Sequence, residues 1–148
     1  MWLNQQTIDA IRLMAELAAR WPQATKAADL AVATGITPMN VQKTVHALAR
    51  ASLIETERGR HGGVRLVRAV DAISVGEIVR AFEPKDCPAN FLVASDRDAA
   101  ISDLLFKAHR EFFHPLENAT LADLEKPLRR QRVELAAAAL ARSRSLPA

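Results

Sequence analysis

The chain has 148 residues, 49% of them hydrophobic and 25% charged, which suits one ordinary globular unit that buries a core without disulfide or metal staples. One cysteine, Cys87, excludes an intramolecular disulfide; with no secretory pattern at the N-terminus and no apolar run near the roughly 20 residues of a membrane span, a cytoplasmic protein is expected. The net charge of +3 decides nothing about partners by itself, so the placement of charge along the chain carries that question.

From Thr7 to Arg20 the apolar positions Ile8, Ile11, Met14, Leu17 and Ala18 recur at helical spacing, and Trp21-Pro22 ends the segment. A second, short helix is predicted from about Lys26 to Thr34, burying Leu30 and Ala31, with Gly35 placed to stop it in a left-handed turn. Thr37 then caps a third helix, with Pro38 in its first turn and Val41, Val45 and Leu48 as its inner stripe. Two helices joined so tightly, with the small Ala31 at the crossing and Gly35 in the turn, form a helix-turn-helix.

Leu53-Ile54-Glu55-Thr56-Glu57 alternates like a strand, Arg58-Gly59-Arg60-His61-Gly62-Gly63 makes a glycine-rich tip, and Val64-Arg65-Leu66-Val67 returns. Arg58, Arg60, Arg65 and Arg68 share eleven residues without an acid. Alone, such a run reads as a solvated face; directly after a helix-turn-helix it reads as a basic wing aimed at a phosphate backbone or minor groove. Ser74 and Glu77 form a capping box for a short helix to about Phe82, followed by a loop through Pro88. A long helix from about Asp96 to Asn118 carries Ile101, Leu104, Leu105, Ala108, Phe112, Phe113 and Leu116, more apolar surface than a winged unit of this size covers, which implies a second copy of the chain. A further helix is expected from about Leu128 to Ala141 in an arginine-rich tail, to which the residues assign no function.

Gly35-Ile36, Arg58-Gly59 with Gly62-Gly63, Ala72-Ile73-Ser74-Val75-Gly76-Glu77-Ile78 and Thr120-Leu121-Ala122-Asp123-Leu124, in this order and spacing, resemble the Rrf2 family of bacterial winged-helix regulators, over about Met1 to Leu124. The resemblance implies a mainly α fold with a small β-hairpin wing: a winged helix-turn-helix at 1–84, a sensor-type loop at 85–95, a dimerisation helix at 96–124 and a helical tail at 125–148. It implies a homodimer that binds palindromic double-stranded DNA, commonly as a repressor. By position, Thr37, Met39, Asn40, Gln42, Lys43 and His46 line the exposed side of the recognition helix, and Arg58, Arg60, His61 and Arg65 belong to the wing. Gln42 and Asn40 carry donor–acceptor pairs suited to adenine, and Lys43 suits guanine or phosphate. Gln5, Gln6 and Thr7 stand where relatives often carry basic residues.

Many members hold an iron–sulfur cluster on three cysteines spaced six apart, yet the positions six and twelve beyond Cys87 are Val93 and Ala99, and Ile8 stands where some members place an acidic ligand. A cluster needs about four thiolate-like ligands, so no cofactor is expected. The input signal stays open between oxidation of Cys87, a small molecule or protein partner, and no sensor at all. Catalysis by Cys87 with His109 or His114 lacks an oxyanion-stabilising loop, and a spacing of five does not put those histidines on one helical face for a metal; a non-enzyme is expected. A winged-helix protein-interaction module is the remaining rival, opposed by the polar third helix and the basic wing.

Overall fold

In the computed structural model, residues 3–60, 62–83 and 95–125 are described; His61, Cys87 and the expected tail helix lie outside them. Helix α1 (Gln5–Ala19) begins where the Asn4 side chain accepts the Thr7 N–H at 2.9 Å. Its buried face is Thr7, Ala10, Leu13, Met14, Leu17 and Ala18. Ile8, placed by periodicity on the buried stripe, is exposed instead. The first turn faces the end of another helix, where a hydroxyl finds a partner and an isoleucine would not.

Helix α2 (Ala27–Thr34) stops at Gly35, whose φ of +67° is the left-handed conformation and whose N–H donates to the Ala31 carbonyl at 2.9 Å. Helix α3 (Pro38–Arg50) starts on the Thr37 cap with proline in its first turn. Val41, Thr44 and Leu48 face inward along it. Strands β1 (Ile54–Glu57) and β2 (Gly63–Leu66) pair antiparallel, Glu55 opposite Arg65 and Thr56 opposite Val64. Thr25, ahead of α2, adds a bridge to this hairpin: Thr25 N–H donates to Val64 O at 2.9 Å and Val64 N–H to Thr25 O at 2.8 Å. The wing is thereby tied to the helices by backbone as well as by packing.

Helix α4 (Val75–Phe82) opens with the complete capping box of Ser74 and Glu77. Partial burial of the Glu77 carboxyl raises its pKa, but hydrogen bonds from Arg68 and from the Ser74 backbone and hydroxyl outweigh that and hold it below its ordinary value. Its contribution to stability is therefore present above the ordinary carboxylate range and lost as pH falls through the lowered value. Helix α5 (Asp96–Asn118) lays Phe113, Phe112 and Leu116 against Val75 and Val79 of α4. Beyond it the chain returns to the first unit: Val75 N–H donates to Ala119 O, Leu121 N–H to Ile73 O, and Leu121 is fully buried with Leu13, Leu30, Leu48 and Ile78. Fully burying one such side chain is worth roughly 1.5–3 kcal/mol. Gly76 permits this closure, because a Cβ there would lie 2.8 Å from Glu117 Cγ and 3.0 Å from its Cα.

Candidate nucleic-acid interface

Helix α3 has two opposite faces. Val41, Thr44 and Leu48 are buried, while Met39, Gln42, Lys43 and His46, spaced i, i+3, i+4, i+7, are exposed together with Thr37 and Asn40. Met39 is 65% exposed and offers an apolar contact to a thymine methyl group. The exposed side therefore carries amides, an ammonium, an imidazole and one apolar group on a helix whose other side is locked in the core.

The four arginines around the wing divide into two kinds. Arg58 and Arg60 are exposed at the tip. Arg65 is exposed but its Nε lies 2.7 Å from Glu55 Oε1 directly across the hairpin, and Arg68 is tied to Glu77 Oε1 at 2.7 Å and to the Ala72 carbonyl at 3.0 Å. Two of the four charges thus hold local structure, because acids distant in sequence are brought opposite them. The tip bends at Gly59, with φ of +112°, and at Gly62, whose N–H donates to Gly59 O at 3.2 Å.

A polar cleft separates the first turn of α1 from α3. Gln5, Gln6 and Asp9 line one side, and Asn40, Lys43 and Thr44 the other. Asp9 and Thr44 were not among the residues picked out by sequence. The available signal was Thr44 itself, a polar residue on the buried stripe between Val41 and Leu48. His109 is half-buried, its ring tilted against that of Phe113 with 4.7 Å between centroids.

An iron–sulfur cluster does not fit these residues. The chain has one cysteine, Ile8 is a hydrocarbon, and the buried carboxylate next to it, Asp9, is engaged by the Gln5 amide at 2.9 Å and turned to the α3 cleft. Among the described residues no three His, Cys, Asp or Glu side chains are grouped as metal ligands. None of the described helices is long and apolar enough to cross a membrane.

A protein-family model described as Rrf2, an iron-dependent transcriptional regulator, matches residues 3–127. Protein aau3 of Rhizobium meliloti (strain 1021) is 33% identical over 132 residues, spanning 85% of this chain and 86% of its own. Among solved structures, the global cysteine regulator CymR of B. subtilis superposes with a TM-score of 0.72 at 24% identity, covering 85% of this chain and 97% of that one. IscR of T. potens gives 0.71 at 22%, covering 86% and 88%. The oxidized form of Staphylococcus aureus CymR gives 0.66 at 23%, covering 84% and 95%. The last three establish the winged-helix fold; with the family match over residues 3–127 and the 33% identical relative, they place this chain in the Rrf2 family of transcriptional regulators.

Proposed function

We propose that the chain is a sequence-specific DNA-binding regulator that acts as a homodimeric repressor on a palindromic operator, without an iron–sulfur cluster. The observation that carries the reading is the face of α3, where Met39, Gln42, Lys43 and His46 stand exposed at helical spacing opposite a buried Val41 and Leu48. Such a helix, entering a major groove, reads base edges with Asn40 and Gln42, while Arg58 and Arg60 of the wing bind backbone or minor groove. Arg65, paired with Glu55, contributes less than its neighbours. His61 belongs to the same wing by sequence.

Binding-site selection from random duplexes tests the reading. Gln42→Ala is expected to relax preference at one base position by about 1–3 kcal/mol, and Arg60→Ala to weaken specific and random duplexes alike and to lower the salt slope by about 1. Unchanged preference in Gln42→Ala would remove α3 from base recognition.

The proposed input is Cys87, a single thiol that oxidation converts to a sulfenic acid or joins to a second copy. A neighbour of this fold solved in an oxidized form motivates the choice. Peroxide is expected to change operator affinity of the wild type reversibly and to leave Cys87→Ser unaffected. Identical curves for both proteins would shift the input to a small molecule or a protein partner.

A further inference from the structure

The first turn of α1 and the end of α4 meet at one carboxylate. Glu83 Oε1 accepts the Thr7 hydroxyl at 2.5 Å and the Asn4 backbone N–H at 3.1 Å, and Asn4 Nδ2 donates to the Phe82 carbonyl at 3.5 Å. Thr7 is fully buried, and Asn4 is also the residue that caps α1. A carboxylate bonded to a helix N-terminus is favoured twice, by the charge-assisted hydrogen bonds and by the helix dipole. Residues 76 and 79 positions apart are thus joined at one oxygen.

The same turn of α1 forms one wall of the polar cleft against α3, an opening of about 230 Å³. Asp9 takes its partners from α1, Gln5 at 2.9 Å and Arg12 at 4.0 Å, and across the cleft the buried Thr44 hydroxyl has no hydrogen-bond partner. Among the described residues no hydrogen bond or ion pair therefore joins the polar groups of the two walls, which are held together only by the core beneath them. Their spacing is set by the core that both helices share, Ala10 and Leu13 of α1 with Val41 and Leu48 of α3, and at the first turn of α1 by Glu83 as well.

We propose that Glu83 is a positioning residue for DNA recognition, locking the first turn of α1 so that Gln5 and Gln6 stand at the distance from Asn40 and Lys43 at which both walls engage one duplex. Gln5 and Gln6 carry neutral amide donors suited to a backbone phosphate, a contact that adds no charge attraction but fixes the register in which Asn40 and Lys43 meet base edges, so that it counts mostly on the operator. Contacts made from two helices at once tolerate little misplacement, on the order of 0.5 Å. The role rests on the reading of α3 as the DNA-contacting helix.

The test compares wild type, Glu83→Ala, Glu83→Gln, Thr7→Val and the Thr7→Val/Glu83→Ala double variant. Each is titrated against the operator selected by wild type and against a random duplex, with the active fraction counted by stoichiometric titration. Glu83→Ala and Thr7→Val are each expected to weaken operator binding about tenfold and random binding no more than about twofold, the double variant losing no more than either single one. Glu83→Gln keeps a carbonyl oxygen that accepts both bonds and is expected to stay within about threefold of wild type. Equal losses on both duplexes, additive losses, or a reduced active fraction with unchanged affinity would each overturn the positioning role. Failure of wild type to select any operator would defeat the DNA reading itself. An operator bound equally well by all five proteins would remove the role of Glu83 alone.

Discussion

Placing aspartate at both Ile101 and Leu104 is expected to leave the protein monomeric at micromolar concentration and to weaken operator binding by at least about 100-fold. Ile101 and Leu104 are 50% and 66% exposed, and with Leu105 and Ala108 they form an i, i+3, i+4, i+7 stripe on the first half of α5. The second half of that helix is covered by α4 through Phe112, Phe113 and Leu116, whereas this stripe has no such cover among the described residues. In a two-fold arrangement each added carboxylate enters the interface twice, so the repulsion doubles. In the proposed homodimer, losing the interface converts two linked half-site contacts into one, so the expected effect on DNA exceeds that of any single base-reading residue. Sedimentation velocity with the same samples used for DNA titration checks both halves. A wild type that sediments as a monomer, or a variant that still dimerises, would remove this face from self-association.

The second large effect is expected at the root of the wing. A Cβ on Gly63 would lie 2.7 Å from the Thr25 carbonyl oxygen, 2.9 Å from its carbon and 3.1 Å from its nitrogen, all of them backbone atoms. Side chains swing away from a new methyl group, but backbone held by two hydrogen bonds to Val64 does not. Gly63→Ala should therefore cost about 1–3 kcal/mol in stability through overpacking and loss of the Thr25–Val64 bridge. Because the same bridge orients the hairpin that carries Arg58 and Arg60, binding to operator and random DNA should fall together, unlike the base-specific loss at Gln42. Thermal unfolding and a paired DNA titration separate the two consequences. An unchanged melting temperature would mean that Thr25 yields, and that the bridge does not anchor the wing.

Much of the architecture was legible because its signals are local. Thr37 before Pro38, Gly35 after Thr34, and Ser74 three residues before Glu77 act within a single turn of backbone, and each stands in the structure where its chemistry puts it. Periodicity likewise located α5 from Asp96 to Asn118, and the glycines of the tip located the hairpin. The exposed face of α3 followed from the same periodicity, since fixing Val41 and Leu48 inward leaves Met39, Gln42, Lys43 and His46 outward.

Pairings between distant residues were not legible. Arg65 and Arg68 look like free wing charges in sequence, and only the hairpin register and the turn into α4 bring Glu55 and Glu77 against them. Ile8 is exposed and Thr7 buried where Glu83 arrives beside the first turn of α1, an event that no local pattern encodes. The return of residues 119–121 to Ile73 and Val75 has the same character. Sequence alone determined where helices begin, end and show an apolar face, since those depend on backbone groups and side chains within about one turn. Tertiary structure decided which charges remain available to a partner and what sets the cleft between α1 and α3, since a polar group's availability depends on whatever the rest of the chain brings within hydrogen-bond reach.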